Sequence, residues 1–174
     1  MPKITWDATS VHKFLQQTAG QLEQLASTST GEFEQVLNWR ELSSPDDRPA
    51  DCRRPGLSAP AVLEDVYNIF EWESLPLFPR AYLPLVHPLL VELGELWTEV
   101  DGLDQILPYT TSEQLADSGW LDVTPLTREE AEKELSIWLG RLTELIRRLQ
   151  AAAHEILHAV DERGTPRFAL MLKT

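Results

Sequence analysis

Cysteine is nearly absent from this chain, because Cys52 is the only one in 174 residues. No intramolecular disulfide can therefore form, which fits a reducing compartment, and we expect a cytoplasmic location. No apolar run approaches the roughly 20 residues that a membrane-spanning helix needs. The first ten residues also lack the apolar core of a secretory signal. The sequence predicts a protein that neither crosses nor binds a membrane.

Several short catalytic motifs are also missing. The chain has no G-x-S-x-G, no phosphate-binding glycine loop and no C-x-x-C pair. The sequence therefore offers no evidence for the enzyme classes that these motifs mark. Cys52 lies beside Arg53 and Arg54, whose charges would favour its thiolate. Since no histidine is close by in the sequence, we expect an ordinary surface thiol. The length suits a single domain, residues 1–174, with a core of its own.

Basic residues are scarce in the middle third. Residues 59–126 hold 12 acids and one base, Arg80, for a net charge of −11. Residues 1–58 carry −2 and residues 127–174 are neutral, so this segment holds most of the total of −13. Such a field repels nucleic-acid backbones and attracts basic surfaces. An excess of negative charge also keeps proteins soluble. The sequence therefore leaves open whether the acidic segment binds a basic partner or only maintains solubility.

Hydrophobic periodicity predicts an all-α fold, a helical bundle of four to six helices in one domain. Apolar spacings of three and four indicate a helix over residues 9–27. The run STSTG (27–31) predicts its end, and a second helix follows over 31–42. Residues 43–58, rich in proline and mixed charge, predict a flexible loop. Further helices are expected from about 60 to 73, 89 to 101 and 112 to 118, with a proline-rich kinked connection at 74–88.

The strongest helix prediction is the last, over residues 127–163. Thr127 and Glu130 have the spacing of a capping box, and Gly164 with Pro166 would end the helix. A seam with alternating spacings of four and three predicts the buried face of this helix. Its members are Leu135, Leu139, Leu142, Ile146, Leu149, Ala153, Ile156 and Val160. The tail, residues 167–173, could form a short strand or an extended packing segment.

The stretch HEILH, residues 154–158, matches the zinc-peptidase pattern H-E-x-x-H. Residues four apart share a helical face, so His154 and His158 could ligate one metal while Glu155 activates its water as a catalytic base. At about 100° per residue, however, both histidines point away from the leucine seam, by about 110° and 150°. The sequence therefore favours solvated histidines over a metal site.

A metal site would also need a third ligand, for which the candidates are His12, His87, Asp161 and Glu162. His12 or His87 could complete a three-histidine site inside a helical bundle, the second metal arrangement that the spacing allows. Arg148 and His154 also have the R-x5-H spacing found in certain helical ribonucleases. These matches are short and arise readily by chance.

Aromatic side chains are interleaved with the acids of the middle third. Large aromatics at an acidic surface suit a protein interface, although they could equally fill the core. The predicted partner-binding residues are Glu71, Trp72, Glu73, Phe78 and Tyr82.

We therefore expect a non-enzymatic interaction module without cofactor, which docks a basic protein through its acidic central segment. An immunity-type or antitoxin-type inhibitor, an adaptor and a small subunit of an assembly all fit this description. The alternative is a metal-dependent hydrolase or bundle metal protein that binds zinc or another divalent ion through His154 and His158.

Overall fold

The computed structural model describes residues 5–41 and 56–158. Within these ranges the protein is helical and has no strand, which confirms the all-α prediction. None of the described helices is both long and apolar enough to cross a membrane. The described residues form five α-helices, which are α1 (Ala8–Arg40), α2 (Ala59–Asn68), α3 (Leu83–Ile106), α4 (Ser112–Asp117) and α5 (Arg128–His158).

The four longer helices pack as antiparallel neighbours around one core. Near one end of α1, His12 contacts Ala153 of α5, while Phe33 packs edge-to-face on Trp138 further along. The same reversal relates α2 to α3, since Leu57 meets Asp104 and Tyr67 meets Trp97. It also relates α3 to α5, where the indole of Trp138 donates to the carbonyl of Leu96 over 2.9 Å. The bundle therefore runs up, down, up and down, with the short α4 in the last connection.

The predicted seam of α5 forms much of this core. Of its described members, only Leu139 is partly exposed, and the others are buried against the neighbouring helices. The capping box is confirmed: the Thr127 amide donates to the Glu130 carboxylate over 3.2 Å, and the Glu130 amide donates to the Thr127 hydroxyl over 3.1 Å. Residues 159–163 of the predicted helix and the tail 167–173 lie outside the described residues.

The predicted break at residues 27–31 is wrong, because α1 is continuous through it. The hydroxyls of Thr28 and Ser29 donate back to the carbonyl of Leu25, over 3.1 and 2.6 Å, and are thereby satisfied within the helix. Ser29 is itself buried, as are Leu25 and Phe33 on either side. Tertiary packing of α1 on α5 thus overrides the weak local preference for a break.

The proline-rich connection lies earlier in the chain than predicted, because it begins at Ile69 instead of residue 74 and ends at Tyr82 instead of residue 88. It consists of a π-helical turn (Ile69–Ser74) and two 3₁₀ turns (Leu75–Leu77 and Arg80–Tyr82), after which α3 begins at Leu83. Pro84 lies in the first turn of α3, where a missing N–H has no consequence. Pro88 removes one bond of the helix ladder. Both prolines lie on the exposed face, while Val86, Leu89 and Leu90 hold the opposite face in the core.

Arg40 ties the end of α1 to the segments that follow α3 and precede α5. Its side chain is buried and donates to the carbonyls of Leu107, over 3.2 Å, and Leu126. Burial is the main cause that lowers the pKa of this guanidinium. Most of the predicted 43–58 loop lies outside the described residues. Its last part is held by bonds from the Leu57 amide to Asp104 and from the Ser58 hydroxyl to Glu32.

Candidate functional site

The HEILH stretch lies on the outer face of α5, as the seam predicts. His154, Glu155 and His158 are all exposed. The two imidazole rings lie one over the other, with centroids 4.2 Å apart and planes inclined by 41°. The histidines therefore share a face, as a two-nitrogen chelate requires, and this face is turned towards solvent.

The described residues do not supply a third metal ligand. His12 comes near this end of α5, but its Nδ1 bonds to the carbonyl of Ala153 over 2.6 Å. A carbonyl can only accept, so Nδ1 carries the proton and only Nε2 of this ring could ligate a metal. His87 is exposed on α3. Within residues 5–41 and 56–158, no three histidine, cysteine or acidic side chains are grouped to hold a metal ion.

Two metal-site candidates, Asp161 and Glu162, lie outside the described residues. Metal analysis of protein purified without an affinity tag is the direct test of that alternative. Less than about 0.1 equivalent of zinc, iron or nickel per chain would exclude it, because a functional site holds its ion tightly.

The predicted partner-binding segment begins in the π-helical turn that follows α2. Here the ladder widens, so that the amide of Leu75 bonds to the carbonyl of Phe70, five residues earlier. The wider turn places Phe70 and Ser74 inside and leaves Trp72 outside, 71% exposed, between Glu71 and Glu73. An exposed tryptophan between two carboxylates is an unusual arrangement, because an indole of this size is normally packed.

Two of the five predicted partner-binding residues are core residues instead. Phe78 and Tyr82 are 5% and 1% exposed. Phe78 belongs to an aromatic cluster with Trp6, Phe14 and Phe70, whose ring centroids lie 5.1 to 6.0 Å apart. These rings fill the junction between the start of α1 and the kinked connection, so the core explanation of the aromatics holds for this part of the segment.

A shallow groove between α2 and α3 adjoins the π-helical turn. It is lined by Tyr67, Val91, Gly94, Glu95, Trp97, Thr98 and Glu99. The Tyr67 and Trp97 rings form its aromatic floor, with centroids 5.6 Å apart and planes inclined by 42°. Burial first, and then the hydrogen bond to Glu71, raise the pKa of the Tyr67 hydroxyl. Glu71 therefore lies between the groove and the exposed Trp72, which follows it in the chain.

Three carboxylates of α3 already share one cation. Arg141 of α5 contacts Glu92 over 2.9 Å, Glu95 over 3.4 Å and Glu99 at closer range. The hydrogen bond to Glu99 is the largest of the causes that raise the pKa of Arg141. Arg141 therefore neutralises part of the acidic field along α3, including Glu95 and Glu99, which also line the groove.

No protein-family model, no curated protein and no solved structure matches this chain. Its candidate sites therefore depend on its own geometry.

The groove is the feature that sequence reasoning missed. Tyr67 is one of the aromatics in the acidic segment, but Gly94 and Trp97 carry no signal in the sequence. They meet Tyr67 only through the antiparallel pairing of α2 with α3, which brings together residues about 30 positions apart.

Proposed function

We propose that this protein is a non-enzymatic interaction module whose acidic central segment docks a basic protein partner. The observation that carries the proposal is Trp72, held 71% exposed on the π-helical turn between Glu71 and Glu73. Exposed tryptophans are frequent binding anchors, because burying one indole in a partner releases a large apolar area from water. The net charge of −11 over residues 59–126 would steer a basic surface towards it.

Two features of the turn support its role as the anchor. Phe70 and Ser74 are buried on either side of Trp72, so the turn is fixed to the core while its indole is presented to solvent. A side chain presented from a rigid element loses less conformational entropy on binding than one from a mobile loop. A π-helical turn also leaves the regular helix ladder, and such turns frequently occur at functional sites.

The test is affinity capture from the native cell with wild-type protein and two matched variants. Trp72→Ala removes the anchor, whereas Leu121→Ala removes an equally exposed apolar side chain, 73% against 71%. We expect a basic partner to bind the wild type and Leu121→Ala, and to be lost with Trp72→Ala or on raising the salt. Failure to recover any stable partner, at both low and moderate salt, would contradict the proposal.

A further inference from the structure

We infer that the groove between α2 and α3 receives a cationic side chain of the partner, an arginine or a lysine, over the Tyr67 and Trp97 rings. This inference rests on the proposed function, because it names the second contact of the same basic partner. It is distinct from the apolar contact at Trp72, which lies in the adjoining π-helical turn.

The floor of the groove has the chemistry that attracts a cation. Aromatic faces carry negative potential, and a guanidinium or ammonium within about 6 Å of the ring centroid is attracted to it. Tyr67 and Trp97 are both partly exposed and stand side by side, so one planar guanidinium could contact both.

The rim of the groove supplies the opposite charge. Glu95 and Glu99 border it on α3, where they share Arg141, and Glu71 approaches it beside Tyr67 from the π-helical turn. Glu64 lies one turn before Tyr67 on the same face of α2 and is exposed. Among the described residues that line the groove none is basic. The three glutamates of α3 that share Arg141 outnumber its single charge, so a cation entering here would still meet a net negative rim beside the aromatic faces.

Gly94 allows the Tyr67 ring to pack against the backbone of α3. A Cβ on Gly94 would stand 3.0 Å from Cε2 of Tyr67, so the ring lies directly against the helix backbone. Thr98, one turn later, turns its hydroxyl back to the Gly94 carbonyl over 3.0 Å. A cavity of about 510 Å³ remains beside the two rings, which leaves room for a side chain from outside.

The experiment is an NMR titration of the intact, ¹⁵N-labelled protein with N-acetyl-arginine amide, N-acetyl-lysine amide and N-acetyl-citrulline amide. Citrulline has nearly the shape of arginine without its charge, so it serves as the matched control probe. We expect saturable shifts of the Trp97 indole and the Gly94 amide with the two cations and none with citrulline. Equal shifts with citrulline, or shifts confined to Trp72, would overturn the inference.

Two kinds of variant sharpen this result. Glu71→Gln and Glu95→Gln each remove a rim charge, and each should weaken arginine binding about threefold. Glu129→Gln, an exposed carboxylate on α5, is the control and should leave the affinity unchanged. Thr98→Arg places a cation at the groove from within the protein and should abolish the shifts, while leaving the melting temperature near that of the wild type because Thr98 is exposed.

The same variants separate this inference from the proposed function. A captured partner that binds Thr98→Arg as tightly as the wild type, but is lost with Trp72→Ala, would overturn the groove inference alone. Arginine binding in the groove without any captured partner would contradict the proposed function and leave the groove chemistry standing. Loss of the partner with both variants supports both contacts.

Discussion

Replacing Arg141 with methionine should destabilise the bundle by about 2 kcal/mol. The guanidinium joins α5 to three carboxylates of α3, at Glu92, Glu95 and Glu99. Methionine keeps the length and apolar character of the stem, so the change removes mainly the charge and its hydrogen bonds. The three glutamates, spaced by three and four along one helical face, then repel one another without a cation between them.

The magnitude follows from the exposure of each pair. The pair of Arg141 and Glu92 is the least exposed, at 30% and 23% for the two side chains. Two nitrogens of Arg141 lie close to the same carboxylate oxygen of Glu92, so we expect this contact to contribute about 1 kcal/mol. Glu95 and Glu99 are 58% and 49% exposed, and solvent screening limits each to about 0.3 kcal/mol. Repulsion among the remaining carboxylates adds a few tenths. For a chain of this size the melting temperature should fall by about 4 to 8 °C.

The assay is urea and thermal unfolding followed by circular dichroism, at about 0.05 M and 0.5 M NaCl, because salt screens these interactions. Arg147→Met is the control, since Arg147 is 74% exposed and pairs with Glu144 on its own helix. It should change stability by less than about 0.5 kcal/mol. A double-mutant cycle with Glu92→Gln isolates the central pair. An Arg141→Met loss equal to the control, or one that salt does not reduce, would refute the reasoning.

Three further predictions concern stability and use the same unfolding assay. Phe70→Ala should lower the free energy of unfolding by about 3 to 5 kcal/mol, because this ring is only 1% exposed. Trp72→Ala should change it by less than about 0.5 kcal/mol, because Trp72 is exposed. Similar losses for the two variants would place Trp72 in the core. Gly31→Ala should stabilise the protein by about 0.5 to 1 kcal/mol, because glycine weakens a helix interior and a Cβ at this position meets no atom within 4 Å. A loss of stability would contradict a helix that is continuous through residue 31. Trp138→Phe should cost about 2 to 4 kcal/mol, because it removes the bond to the Leu96 carbonyl and leaves a cavity in place of part of a buried indole. A neutral result would contradict this packing of Trp138 on α3.

Local chemistry made parts of the fold predictable from the sequence. The capping box at Thr127 and Glu130 and the helix start at Pro60 depend on a few neighbouring residues, and both are found where expected. The leucine seam of α5 placed His154 and His158 on the outer face for the same reason. These features follow from a period or a cap that is complete within one segment.

The remaining features depended on contacts between segments. The hydroxyl-bearing residues 27–29 predict a helix end when the sequence is read alone. The helix continues because these hydroxyls bond within it and α1 packs on α5. Phe78 and Tyr82 could be surface or core from the sequence, and only the junction with Trp6 and Phe14 decides for the core. The widened turn that exposes Trp72 depends on a single shift in the hydrogen-bond ladder, which hydrophobic periodicity does not encode.

The most direct test of the interaction account is the dissociation constant of the captured partner, measured for wild type, Trp72→Ala and Leu121→Ala across a salt series. The account predicts that affinity falls as salt rises, because the acidic segment steers a basic surface. It also predicts that Trp72→Ala weakens binding about 30-fold or more, as an anchor residue should, while Leu121→Ala stays near the wild type. Equal affinities for the two variants, or an affinity that salt does not change, would contradict it.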